Sequence, residues 1–275
     1  MTRRLLINLT IVLLALGLAA VTWLDPHEGP ARLTGLAPVE VDVLQVQRAE
    51  REPLRLERRS DGWWLTEPAT TRASDDHVAK ILDLVRARSR ARYSLDEVDA
   101  AELELTPAPV HVAFNGTGVA LGATDAMGRL RYALVDETVH LVDERVMPLL
   151  TGSWWNLADR RLLGADREPV ALATPDLELQ RDAGGWQVVR GDVSEREADA
   201  IMTAWQEAEA LVARPVSALP DDPDTATITF ADGSERIFAR DSERGEMRLV
   251  DRDSGLAYVI DDGLRTYLLT GRRDD

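Results

Sequence analysis

The stretch from Leu54 to Arg88 occurs twice, and a duplicated supersecondary pattern confines a chain more tightly than its composition does. Leu54, Leu56, Arg58, Gly62 and Trp63 recur as Leu177, Leu179, Arg181, Gly185 and Trp186, each 123 positions later. The same displacement carries Val78, Ile81, Leu82 and Val85 onto Ile201, Ala204, Trp205 and Ala208. Alternating apolar residues around a turn, then an apolar stripe at helical spacing, read as a hairpin followed by an amphipathic helix. Further on, His140, Leu141, Val142, Asp143 and Leu150 reappear as Tyr258, Val259, Ile260, Asp261 and Leu268, displaced by 118. The loops between are therefore shorter in the second copy.

Each copy continues past its helix into strand patterns with no helix between them. Val110 to Phe114, the Asn115-Gly116 turn, Val119 to Ala123, Arg129 to Val135 and Thr138 to Val142 make a meander in the first. Thr225 to Phe230, Arg236 to Ala239, Met247 to Asp251 and Ala257 to Ile260 make one in the second. Successive strands of this kind pair antiparallel. Ser74 or Asp75 can cap the first helix, expected to run to about Arg90, and Ser194 with Glu197 forms a capping box for the second. The expectation is an α+β fold: an N-terminal transmembrane helix, then two tandem repeats, each an antiparallel sheet packed with one long and one short helix.

Leu5 to Leu24 is apolar except for Asn8, Thr10, Gly17 and Thr22, and about 20 helical residues match a bilayer core of about 30 Å. Arg3 and Arg4 precede this run, while Asp25 and Glu28 follow it, so the positive-inside rule leaves the N-terminus cytoplasmic. The expected organisation is a cytoplasmic tail at 1–4, an anchor at 5–24 in contact with lipid, with a cleaved signal peptide as the alternative for that run, and a Pro/Gly-rich tether at 25–38. A first repeat follows at 39–152, a connector at 153–168 and a second repeat at 169–275. The body is then expected in the periplasm of a bacterial cell, held at the inner membrane by a single pass. Beyond Arg3 and Arg4 the chain has 48 acids against 30 bases. Such a surface repels phosphate backbones and anionic headgroups, which argues against nucleic acid as a partner and against the body lying flat on lipid, and a cationic or neutral partner fits better.

No catalytic, cofactor-binding or metal-binding motif stands out. There is no cysteine, and His77, His111 and His140 align with Ala200, Ile228 and Tyr258, so the repeated pattern does not require imidazole there. Gly116, Gly118 and Gly122 follow a strand but lead into another strand, the wrong context for a dinucleotide loop. Asp221, Asp222 and Asp224, and Asp251 with Asp253, lack the spacing of a calcium loop and read as solvated turn acids.

The tryptophans are more informative. Trp23 suits a membrane interface, and Trp63, Trp186 and Trp205 fit core positions. Trp64, Trp154 and Trp155 lack an obvious internal partner and are the candidate partner-binding residues. Trp64 faces away from Trp63 on a pleated strand, and the second copy has Gln187 in its place. For Trp154-Trp155, packing between the repeats competes with an external interface.

With its anchor, its Leu-x-Leu-x-Arg then Gly-Trp hairpin at Leu54 to Trp63, its capped helix and its Asp159-Arg160-Arg161-Leu162-Leu163 connector, the chain resembles a bacterial family. This is the domain-of-unknown-function family of single-span periplasmic proteins associated with the auxiliary component of gliding-motility-type ABC transport systems. The resemblance implies an accessory role beside a transporter and supplies no catalytic residue. Two function classes follow: a membrane-anchored periplasmic binding or scaffold protein with a membrane or envelope protein as partner, and a cell-envelope hydrolase working through carboxylates.

Overall fold

The computed structural model describes residues 32–143, 145–164, 167–221, 225–243 and 246–272. Among them the first sheet comprises β1 (Val43–Arg48), β2 (Arg51–Arg59), β3 (Gly62–Glu67), β4 (Thr71–Arg72), β5 (Arg92–Ser94), β6 (Val110–Phe114), β7 (Thr117–Thr124), β8 (Leu130–Val135) and β9 (Thr138–Asp143). Its spatial order is β4-β3-β2-β1-β6-β7-β8-β9-β5. The second comprises β10 (Pro169–Ala173), β11 (Glu178–Asp182), β12 (Gly185–Arg190), β13 (Val212–Pro215), β14 (Thr225–Phe230), β15 (Glu235–Glu243), β16 (Glu246–Asp251) and β17 (Leu256–Val259). It runs β12-β11-β10-β14-β15-β16-β17-β13. All the pairings are antiparallel.

The expected α+β class is corrected by this balance. Among the described residues strands make up 43% and helices 21%, so the fold is mostly β, built on two large sheets rather than on repeats packed with a long and a short helix. The helices α1 (Asp75–Leu82), α2 (Met147–Thr151), α3 (Glu195–Glu207) and α4 (Asp262–Thr270) are short. Helix α1 stops well before Arg90, giving way to a 3-10 turn at Asp83–Arg86. Beyond it Arg88, Arg90 and Arg92 alternate with smaller residues, a period of two that suits extended chain. Arg90 donates its amide to Leu141 O at 2.8 Å, and Arg92–Ser94 joins the sheet beside β9.

No helix among the described residues is long and apolar enough to cross a membrane. The expected anchor at residues 5–24, together with Trp23 and His27, lies outside the described residues. The single-pass, inner-membrane and periplasmic placement is corrected accordingly, since no described helix supports it. Packed chain also begins earlier than Val39. Leu33 and Thr34 are buried, and Thr34 donates both its amide and its hydroxyl to Val85 O.

The two Leu-x-Leu-x-Arg hairpins have the same register. Arg58 stands opposite Trp63 and Arg59 opposite Gly62, while Arg181 stands opposite Trp186 and Asp182 opposite Gly185. Both glycines have positive φ, +113° and +131°, which an L side chain rarely adopts, so each closes its tight turn without strain. The Trp63 and Trp186 rings lie in the two cores, and α1 and α3 cover them with buried Val78, Ile81 and Leu82 and with buried Ile201, Met202 and Trp205. The capping box holds, since the Ser194 amide donates to Glu197 Oε2 at 2.7 Å and Ser194 Oγ accepts from the Glu197 amide.

The buried clusters divide at the connector. The first ends at Leu157 and the second begins at Ala158. Between them the chain is hydrogen-bonded in both directions. Ser74 donates to Leu157 O at 2.7 Å and Asp159 to Arg72 O at 2.9 Å, while Leu162 donates to Ala208 O at 3.0 Å and Ala210 to Arg160 O at 2.8 Å.

Candidate functional site

Hairpin β2–β3, the segment before α1, the end of the connector and the β15–β17 meander together surround a cleft of about 260 Å³. Trp64 forms one wall, half-buried on the face of β3 opposite to Trp63. Its indole Nε1 donates to Asp61 Oδ1 at 2.9 Å, and the Arg59 guanidinium lies 4.7 Å from the ring centroid. The ring is thereby fixed by its own hairpin.

The opposite wall is a buried polar network. Arg236 donates to Asp251 Oδ2 at 2.9 Å, to the Tyr258 hydroxyl at 3.0 Å and to Leu162 O at 2.5 Å. Ser254 Oγ donates to the same Asp251 oxygen at 2.7 Å. Burying a guanidinium is tolerable when its donors are used in this way. Burial also pushes the Tyr258 phenol up, so it stays protonated and can donate to Asp159 O at 3.4 Å. Arg72 lines the cleft from β4, and its guanidinium is held by Asp75 Oδ2 at 2.7 Å. Arg167 stacks over Phe230 with 3.6 Å to the ring centroid and donates to Ser234 Oγ.

Formally the lining carries Asp61, Asp251 and Asp253 against Arg72, Arg167 and Arg236. Three charges of each sign leave the cleft neutral, and an indole supplies its apolar wall. A recess below the roughly 300 Å³ at which small-molecule sites begin accepts a single side chain better than a cofactor.

Among the three candidate tryptophans, only Trp64 lines this cleft. Trp154 and Trp155 belong to the 3-10 turn Trp154–Leu157 and meet edge to face with centroids 5.7 Å apart. Trp154 packs against both cores and Trp155 against the second. Sequence reasoning missed Arg167 and Arg236, and it took Asp251 for a solvated turn acid although it is 3% exposed. Its neighbour Asp253 is exposed, while Asp222 and Asp224 lie outside the described residues.

The remaining chemistry is sparse. Among the described residues no group of three or more His, Cys, Asp and Glu could hold a metal ion. Asn115 and Gly116, at φ +48° and +90°, form a hairpin turn between β6 and β7 rather than opening a helix. Among the described residues the displaced carboxylates are all lowered. Burial raises Asp75 but the Arg72 guanidinium and the Trp63 amide outweigh it, and Arg145 holds Asp143 down by hydrogen bonding. A general acid needs the opposite displacement.

Compared with family models, with curated proteins and with solved structures, the chain matches none.

Proposed function

We propose that this chain is a binding or scaffold protein whose cleft at Trp64 seats an uncharged, largely apolar side chain of a protein partner. The observation that carries the reading is the position of Trp64, half-buried at the wall of a charge-neutral recess where two sheets meet. Tryptophan is enriched at the centre of interfaces, where a ring already held in place loses little freedom on binding. The Asp61 and Arg59 contacts hold this ring in place before a partner arrives. The carboxylate-hydrolase reading gains nothing from the lowered acids, so binding is the better account.

The resemblance carried by Leu54 to Trp63 and Asp159 to Leu163 adds a place to search for the partner. An accessory role beside an ABC-type transport assembly remains our proposal for the wider setting. The test is to capture a partner by crosslinking, purify it, and titrate it against the wild-type chain and Trp64→Gln, which imitates the second hairpin. The expected result is at least about tenfold weaker binding, equivalent to roughly 1.4 kcal/mol, with an unchanged melting temperature. Equal affinity for both proteins would overturn the reading.

A further inference from the structure

A second cleft lies away from Trp64, where the end of α1, the turn after it and the start of α2 enclose about 530 Å³. It is lined by Lys80, Arg88, Arg90 and Arg145, with Asp83 and Asp143 as its acids. Those acids are already engaged. Arg145 grips Asp143 with two bonds, Nε to Oδ1 at 2.9 Å and Nη2 to Oδ2 at 2.8 Å, and Asp83 accepts from Arg86 Nη2 at 2.7 Å. Lys80, Arg88 and Arg90 are exposed and form no ion pair within 4.0 Å among the described residues.

The chain has 48 acids with which to neutralise its bases and carries a net charge of −16. Three cations here face one cleft with no carboxylate within 4.0 Å among the described residues, although Arg90 also helps hold Asp143 down from farther off. Two of them are guanidinium forks that match phosphate or carboxylate oxygens. The floor is different in kind. Leu84 and Val146 are buried beneath the cleft, and Ala87 and Leu149 pack on the same core. The volume falls within the range of small-molecule sites.

We propose that this cleft binds an anionic amphiphile, with a phosphate or carboxylate head on Lys80, Arg88 and Arg90 and an apolar body over Leu84 and Leu149. This site is independent of the partner cleft at Trp64. Lys80 is the chain's only lysine, so an amine-specific reagent followed by peptide mapping reads its accessibility directly.

The experiment measures the rate of Lys80 modification in the full chain with octyl phosphate below its micelle-forming concentration. Inorganic phosphate and neutral octyl glucoside serve as partial ligands, and phosphatidylglycerol vesicles present the same head on a lipid. Saturating octyl phosphate should slow modification several-fold, with each partial ligand much weaker. The Arg88→Gln/Arg90→Gln variant should lose the protection while keeping its melting temperature, and Trp64→Gln should keep the protection. Should the double variant fail to fold, Arg88→Gln alone replaces it. Vesicles that protect as well would place the head on a lipid within the same site. An unchanged rate with octyl phosphate, equal protection by inorganic phosphate, protection by vesicles alone, or protection surviving in the arginine variants would each overturn the proposal.

Discussion

Trp64 donates its indole N–H to the Asp61 carboxylate, 2.9 Å away and three residues earlier in the same hairpin. Breaking that bond by Asp61→Ala frees the ring without touching either core. Because the group is exposed, folding stability should change by no more than about 1 kcal/mol, while partner affinity should fall several-fold. Parallel melting curves and titrations check this. A large loss of stability with unchanged affinity would count against a positioning role for Asp61.

The Arg236–Asp251 pair is buried on both sides, with side chains 13% and 4% exposed. Asp251→Ala leaves a buried guanidinium without its carboxylate, and removing one partner in this way costs about 3–5 kcal/mol. The double variant Arg236→Met/Asp251→Leu should be less destabilised than Asp251→Ala, because no orphan charge remains. Urea denaturation of the three proteins decides it. A cost below about 1 kcal/mol for Asp251→Ala would show that solvent reaches the pair.

His140 is buried, and its Nδ1 finds no partner among the described residues. Burial, and then the nearby Arg92 charge, lower its pKa below 6.5. The unfolded chain therefore takes up this proton at higher pH than the folded chain does. Stability contributed by neutral His140 is complete above the unfolded pKa and declines as pH falls through the window below it. Between about pH 7.5 and about pH 5.5 the urea midpoint should fall for the wild type and fall less for His140→Tyr, the residue at the matching position of the second unit. Parallel declines would assign the pH dependence to other groups.

Trp205 has no exposed surface, tilts against Phe238 with centroids 5.7 Å apart, and donates its Nε1–H to Leu268 O at 3.0 Å. Trp205→Ala should cost about 3–5 kcal/mol through lost contact and the cavity left behind. Leu82→Asp at the equivalent position of α1 should cost several kcal/mol, on the order of burying an unpaired charge. Guanidinium unfolding reports both. A melting temperature unchanged by Leu82→Asp would be incompatible with its 4% exposure.

What could be read from sequence was local. The repeated Leu-x-Leu-x-Arg turns, the Ser194–Glu197 box and the meander strands each carry their signal in a few neighbouring residues, and the strands formed where their alternation placed them. Strands Thr71–Arg72, Arg92–Ser94 and Val212–Pro215 were not legible, because two to four residues hold no period and owe their form to a distant partner strand. The helix stripe through Val85 suggested a longer α1, but the following arginines alternate and the sheet edge claimed them. Trp64 could be singled out because its counterpart is Gln187. Arg236 and Asp251 could not, since nothing in their neighbours says that a guanidinium after a turn will be buried beside a carboxylate from the next strand.

The connector is tied to both cores. Backbone groups from Leu157 to Asp159 bond to residues 72–74 on one side and those from Arg160 to Leu162 to residues 208–210 on the other, so the junction is hydrogen-bonded along its whole length. Fraying on the first side strips protection from the Ser74 and Asp159 amides and fraying on the second from the Leu162 and Ala210 amides, so exchange at each pair tracks the opening of its own side. Exchange at these four amides should therefore show whether the two hydrophobic interiors open together or in turn.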